Sequence, residues 1–391
     1  MDLNAIQAAL RDAQLDGWLF YDHHRRDTIA YRVLGVEPQK CSRRWYYLIP
    51  PWGEPAKVVH RIEKASLESL PGATQEYSSW QEQREALAKM LAGKKTVAMQ
   101  YSRMNDIPYI GLVDAGTVEL VRKLGTEVVS SADLVQMFEA RWSPQAFATH
   151  LEAGKAVHAL VRNAFEFIRD SVRAGKSIGE YDVQQQAFRQ YEKYGIMADD
   201  PLAVCVNAHS GDPHYAPTAK TSLPIREGDF VLVDAWAKLR KPGSVYFDIT
   251  WTGFVGGEVP ARYTEIFEIV KEARDTAVDF IQRSTREGRP IRGYQVDDAA
   301  RGVITRHGYE EHFVHRTGHS IGEDVHGNGA NMDNLEMHDD RRIIPGTCFS
   351  IEPGIYLPEF GVRTEVDVYV EDRDARVTGE IQQAIIPIMT L

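Results

Sequence analysis

Two apolar runs, DFVLVDAWA (229–237) and SVYFDITWTGFV (244–255), each carry one aspartate inside what reads as a buried strand. A carboxylate in such a place is expensive unless something pairs with it, so these runs constrain the fold more than any other part of the chain. The linking KLRKPGS contains Pro242 and Gly243, a turn signal, and predicts a hairpin that brings Asp234 and Asp248 together. On the second strand Asp248 shares a face with Tyr246 and Thr250, while Phe247, Ile249 and Trp251 face the other way.

A second set of acids lies near the C-terminal end. In CFSIEPGIYLPEFGVRTEVDVYV (348–370), Glu352 ends one expected strand and Glu365 lies inside another. Alternation in that strand places Arg363, Glu365, Asp367 and Tyr369 opposite Val362, Thr364, Val366 and Val368. Between the two acid pairs stands HRTGHSIGEDVHG (315–327), with three histidines and two acids. His315 and His319 have helical spacing, but Gly318 and Gly322 argue against a regular helix, and the stretch lacks the HExxH zinc pattern.

Each piece has a plain structural explanation by itself. An aspartate in a strand is commonly a strand end or turn residue, Glu-Pro-Gly is commonly a turn, and a histidine among glycines is commonly a loop residue. The ordered set of two aspartates, a histidine and two glutamates is far more specific than its parts. Its oxygen-rich donors suit divalent Mn, Co, Fe or Zn, and bridging carboxylates suit two ions together. Without a cation, such carboxylates would repel one another and take up protons.

The remaining sequence frames these motifs. Its 391 residues suffice for two domains. Residues 1–145 alternate helix and strand: a helix over 5–14, strands over 17–22, 43–50, 56–63 and 95–101, and helices over 78–94 and 115–125. Ser79 is the expected N-cap of the 78–94 helix and Gly93 its stop. WSPQAF (142–147) opens the larger part, 146–391, with a long helix ending at Gly175, a second ending at Gly195, then strands, two helices at 261–287 and 294–307, and strands again. No GxGxxG follows a strand, which removes a dinucleotide-binding reading.

The formal net charge of -11, with no basic run to offset it, argues against nucleic acid or an anionic membrane as partner. The N-terminus lacks a signal-peptide pattern, no stretch is apolar enough to span a bilayer, and the three cysteines are widely spaced. The expectation is a cytoplasmic protein with reduced thiols.

VLVDAWA, FDITWTGF, HRTGHSIGEDVHG, SIEPGIY and GVRTEVDV, in this order, resemble the M24 metallopeptidases, the creatinase/methionine-aminopeptidase superfamily with the pita-bread fold. The similarity is greatest to Xaa-Pro dipeptidases (prolidases) and Xaa-Pro aminopeptidases. The resemblance implies an α/β creatinase-like N-terminal domain, 1–145, and an α+β pita-bread catalytic domain, 146–391. It implies five metal ligands, Asp234, Asp248, His319, Glu352 and Glu365, with Asp248 and Glu365 bridging two divalent ions, Mn first and Co or Zn as alternatives. Glu352 would also shuttle the proton. His326 and His214 would be the substrate-binding histidines, and Arg363 the partner of Glu365, leaving His315 structural. The implied substrate is a small peptide with proline second, and the implied assembly a homodimer whose N-terminal domains help close the proline pocket.

Two departures stand out. The interval from Asp234 to Asp248 exceeds the family's usual one, which lengthens the hairpin tip. The strand PLAVCV, ahead of His214, lacks the tyrosine that many relatives place near the reacting water, and its Cys205 reads as a buried, inert thiol. A dipeptidase is the preferred reading and an aminopeptidase for longer peptides the alternative. A metal-independent creatinase-type hydrolase or a non-catalytic binding protein would have lost ligands, yet all five are present. A methionine aminopeptidase would normally lack the first domain.

Overall fold

A computed structural model describes residues 1–37 and 41–391. The chain divides into two compact units, Met1–Glu139 and Ala140–Leu391.

The first unit is built on strands β1 (Gly17–Asp22), β2 (Trp45–Ile49), β3 (Ala56–His60), β4 (Ala73–Tyr77), β5 (Thr96–Met99) and β6 (Glu127–Ser130). They form one sheet in the order β4-β3-β2-β1-β5-β6. Only β2 runs against its neighbours. Helices α1 (Leu3–Asp12), α2 (Thr28–Leu34), α3 (Trp80–Leu91) and α4 (Ala115–Lys123) accompany the sheet. Buried side chains on the strands form two cores, one around Trp18, Phe20 and Tyr47, the other around Leu19, Tyr46 and Val97. This is the period-2 alternation of a sheet covered on both faces. The α3 N-terminus is the expected one: Ser79 caps the Glu82 amide, and the Glu82 carboxylate accepts from the Ser79 amide.

The second unit opens with a thirty-residue helix, Pro144–Arg173, capped by Ser143. The segment expected as one helix up to Gly195 is two, Glu180–Phe188 and Tyr191–Tyr194. Strands β7 (Ile196–Met197), β8 (Ala203–Val206), β9 (Phe230–Leu239) and β10 (Phe247–Phe254) follow, then helices Ala261–Arg286 and Gly293–Arg306. The C-terminal strands are β11 (Ser320–Ile321), β12 (Cys348–Ile351), β13 (Gly354–Tyr356), β14 (Gly361–Arg363), β15 (Val366–Val370), β16 (Ala375–Thr378) and β17 (Ile386–Pro387). One sheet follows the path β17-β10-β9-β7 with β8 also paired to β9, a second runs β11-β12-β15-β16, and β13 pairs with β14.

The β9–β10 hairpin positions the site. Its register sets Phe230 opposite Phe254, Leu232 opposite Thr252, Asp234 opposite Thr250 and Trp236 opposite Asp248. Val231, Val233, Ala235, Phe247, Ile249 and Trp251 point to the opposite face and share a core with the 144–173 helix. Phe230, Leu232 and Phe254 join a second core with the two later helices. The hairpin is therefore apolar on one face and graded on the other, from aromatic at one end to acidic at the other. The single strand expected over 362–370 is broken at Thr364–Glu365 into β14 and β15, which belong to different sheets. The three cysteines are buried and unpaired.

Candidate metal centre

Asp234 and Asp248 are diagonal neighbours on the hairpin's polar face, because each stands beside Thr250 in register or along the strand. Glu365 sits at the break between β14 and β15, where its amide donates to the Thr250 carbonyl at 3.3 Å. Its carboxylate accepts from the Thr250 hydroxyl at 2.7 Å. Ligand atoms of Asp248, His319 and Glu365 all lie within 4.8 Å of one another, and all three residues are buried.

His319 precedes β11 and is clamped from three sides. Its amide donates to the Ser350 hydroxyl, and its carbonyl accepts from the Ser350 amide at 2.9 Å. Its neighbour Gly318 approaches the Ser350 carbonyl so closely that an added Cβ would stand 1.8 Å from that oxygen. Two residues upstream, Thr317 donates through both amide and hydroxyl to Asp297, which Arg301 also holds. The Nδ1 of His319 faces the Ser320 carbonyl at 3.2 Å, so Nε2 is the nitrogen left for the acids. It lies 3.6 Å from Asp248 Oδ2 and 3.5 Å from Glu352 Oε1. Glu352 follows β12 directly, and its amide donates to the Thr317 carbonyl.

Asp234 is turned toward Arg363. The guanidinium Nη2 donates to Asp234 Oδ2 at 2.5 Å, and Nε donates to the Thr250 hydroxyl at 2.9 Å. Arg363 thus holds Asp234 directly and Glu365 through Thr250, and its Nε is 3.9 Å from Glu352 Oε2. Thr250 and Tyr356 are participants that sequence reasoning missed. The Tyr356 hydroxyl accepts from Arg363 Nη1 at 3.1 Å and lies 2.7 Å from His315 Nε2. His315 is therefore a half-buried support of the arginine. A polar face shared with Asp248 was the available signal for Thr250; nothing local singled out Tyr356.

His326 packs edge-on against His319, with ring centroids 4.4 Å apart. His214 stands on an exposed loop whose Pro213 carbonyl is 3.5 Å from Arg363 Nη1. That loop is tied down by the buried Glu180 carboxylate, which accepts from the Val206 and Leu223 amides and the Tyr215 hydroxyl and meets His209 Nδ1 at 2.9 Å.

The electrostatics of the cluster are those of a site built for cations. Burial first, then Asp234 and Glu352, pushes the Asp248 carboxyl well above its usual range. Burial first, then Asp248, Glu352 and Asp234, does the same to Glu365. Asp367, which accepts from the Asp248 amide at 2.9 Å, is raised by burial and by Asp248. Burial lowers the proton affinity of His319; local desolvation, then the neighbouring His319, lowers that of His326, a residue otherwise exposed, to about 3, so both favour the neutral ring. Asp248 Oδ1 and Glu365 Oε1 are buried and have no hydrogen-bond partner among the described residues. Two carboxylates about 4 Å apart repel by about 4 kcal/mol at an effective dielectric near 20. Several such pairs rival a domain's whole stability of roughly 5–15 kcal/mol. The single guanidinium of Arg363 does not balance four acids. Orphaned oxygens, a neutral imidazole with Nε2 free and an excess of carboxylates fit divalent cations.

The family model for metallopeptidase family M24 matches residues 149–372. A Xaa-Pro dipeptidase of Lactobacillus helveticus is 31% identical over 215 residues, 54% of this chain and 52% of that protein, so the match spans about half of that relative's length. A probable dipeptidase PepE of Mycobacterium tuberculosis is 26% identical over 380 residues, 95% of this chain and 91% of that protein. Among solved structures, dipeptidase PepE from Mycobacterium ulcerans has a TM-score of 0.69 at 24% identity, covering 99% of this chain and 96% of that one. The prolidase from Pyrococcus horikoshii OT3 has a TM-score of 0.64 at 22% identity, covering 98% and 99%. At these identities the two structures establish the fold, which is the pita-bread fold.

Proposed function

The chain belongs to metallopeptidase family M24, and from that premise we propose that it is a two-metal Xaa-Pro dipeptidase, cleaving the bond before proline in dipeptides. The observation that carries the reading is the convergence of Asp248, His319 and Glu365, with Glu352 beside them and Asp234 held by Arg363. The relatives named Xaa-Pro dipeptidase support the substrate.

Asp234, Asp248, His319, Glu352 and Glu365 would hold two divalent ions; Mn is the first choice, Co or Zn the alternatives. When bound, such ions activate water as a nucleophile near neutral pH and polarise the scissile carbonyl. Glu352 is suited to move the proton, since its side chain keeps 15% exposure whereas Asp248 keeps 7%. It takes the proton from the attacking water and delivers it to the proline nitrogen, which must be protonated to leave. His326 and His214 would donate hydrogen bonds toward the oxygen that gains charge, since an imidazole carries an N–H in either protonation state. Arg363 orients Asp234 and, through Thr250, Glu365. The resemblance supports a homodimer, to be checked by sedimentation.

The test is hydrolysis by metal-stripped protein reconstituted with Mn, Co or Zn, using a Xaa-Pro dipeptide beside a Xaa-Pro-Xaa tripeptide. Cleavage of the dipeptide alone is expected. Cleavage of the tripeptide would make the protein an aminopeptidase. Cleavage of neither, with metal bound, would overturn the proline specificity.

A further inference from the structure

The Met1–Glu139 unit contains a cleft of about 810 Å³, lined by none of the residues assigned to the peptidase site. It opens at one edge of the sheet. Tyr21, His60 and Tyr77 stand at the carboxyl ends of β1, β3 and β4, and Arg43 and Arg44 lie just before antiparallel β2, at the same edge. In open α/β sheets ligands bind at the carboxyl ends of the strands. The volume falls in the range of small-molecule sites, roughly 300–1,000 Å³.

The charge of this cleft is one-sided. Arg26, Arg43, Arg44 and Arg84 line it, with His23 and His60, and Asp114 is the only acid among the lining residues. None of the four guanidinium groups comes within 4.0 Å of a carboxylate oxygen among the described residues, although Glu63, bound by the Ser42 and Arg43 amides, lies near Arg43. Arg43 reaches only the Ser42 hydroxyl and carbonyl, and Arg84 lies over the Trp80 ring at 4.7 Å. Asp114 is occupied elsewhere, accepting from the Thr117 amide at 2.9 Å and hydroxyl at 2.8 Å. His23 registers the resulting potential: burial lowers its proton affinity, and His24, Arg44 and Arg26 lower it further. In a chain of formal net charge -11, four guanidiniums gathered with a single acid in the lining are a local exception.

The rest of the lining is mixed, with Leu120 and Trp80 beside polar groups. Gln83 and Thr117 are buried in it, and the exposed Trp80 ring forms a flat wall. The helix ends nearby are already satisfied by their own caps, α3 by Ser79 and Glu82 and α4 by Asp114, so side chains rather than free amides would hold a ligand. Guanidinium groups match oxyanions with paired, charge-assisted hydrogen bonds.

We propose that this cleft binds a small organic oxyanion, a phosphate ester or a dicarboxylate, held by Arg26, Arg43, Arg44 and Arg84. This goes beyond the peptidase reading and does not depend on it. The test is isothermal titration of the full-length protein, metal-loaded where it binds metal, with inorganic phosphate and, separately, succinate. It is run on wild type, on Asp248→Ala, which removes a competing anion site at the metal centre, and on Arg44→Ala/Arg84→Ala. One or both anions should bind wild type and Asp248→Ala, and the double variant should weaken that binding by about tenfold or more, the scale of a lost charge-assisted contact. The anion that binds identifies the ligand class. Should the double variant not fold, Arg84→Glu, at an exposed helix position, should give the same loss. No binding of either anion to wild type overturns the proposal. So does binding that disappears in Asp248→Ala and persists in the arginine variant.

Discussion

Asp248 Oδ1 and Glu365 Oε1, buried and unpartnered, are the atoms on which the metal reading turns. Asp248→Ala or Glu365→Ala should abolish both bound metal, measured by elemental analysis, and hydrolysis, while circular dichroism stays native. Full activity in either variant would remove the two-metal assignment. His326→Ala should cut turnover by about 10²–10³-fold, the scale of one lost oxyanion donor, with metal content unchanged; loss of metal would mean that His326 and His319 have exchanged roles. A third prediction concerns the first unit. The buried Asp27 carboxyl is pushed up to about 7, by burial first and against its cap bond to Ala30, with Asp22 adding to the rise. The folded state therefore holds this proton more tightly than the unfolded chain. The resulting stabilisation is complete below the ordinary value of 3.8 and is lost as pH rises through about 7. Asp27→Asn, which keeps an acceptor for the Ala30 amide, should melt higher than wild type at pH 8 and no higher at pH 4. The same difference at both pH values would refute this. At this scale the acids and His319 were legible, because charged groups inside apolar or glycine-rich sequence have few uses. Thr250 and Tyr356 were not, since their partners are fixed by register and tertiary approach.

The elements explain why the geometry can be held. His319 is carried by a segment pressed against β12 at Gly318, where no side chain fits. Gly318→Ala should cost about 1–3 kcal/mol, typical of forced overpacking, and lower metal affinity by displacing His319; calorimetry and metal titration would measure both. An unchanged melting temperature with unchanged metal affinity would show that the contact relaxes freely. The longer hairpin tip also has a structural use. Tyr246 donates from its amide to the Gly322 carbonyl, and Lys238 donates to the Glu323 carbonyl, so the hairpin braces the loop between His319 and His326. Helix ends marked by Ser79 and Gly195 could be read directly from residue type. Strand β4, ATQEY, escaped notice because it is a mostly exposed edge strand without apolar alternation. The break at Thr364–Glu365 escaped notice because alternation continues across it. Only the pairing of β14 and β15 with different strands reveals it.

For the molecule as a whole, metal binding and folding of the Ala140–Leu391 unit should be linked. A ligand at about 1,000 times its Kd stabilises by about 4 kcal/mol. Removing metal with a chelator should therefore lower the melting temperature of that unit and leave the Met1–Glu139 transition in place; a scan unaffected by the chelator would contradict the linkage. No helix among the described residues is long and apolar enough to cross a membrane. The three thiols carry a practical consequence. Cys41, Cys205 and Cys348 are buried, and burial raises the proton affinity of each, so little thiolate is present at neutral pH. The native sequence should therefore give a silent background in maleimide chemistry. One cysteine introduced at an exposed position, such as Met104 or Trp52, can take a fluorophore without removing any natural residue from the core.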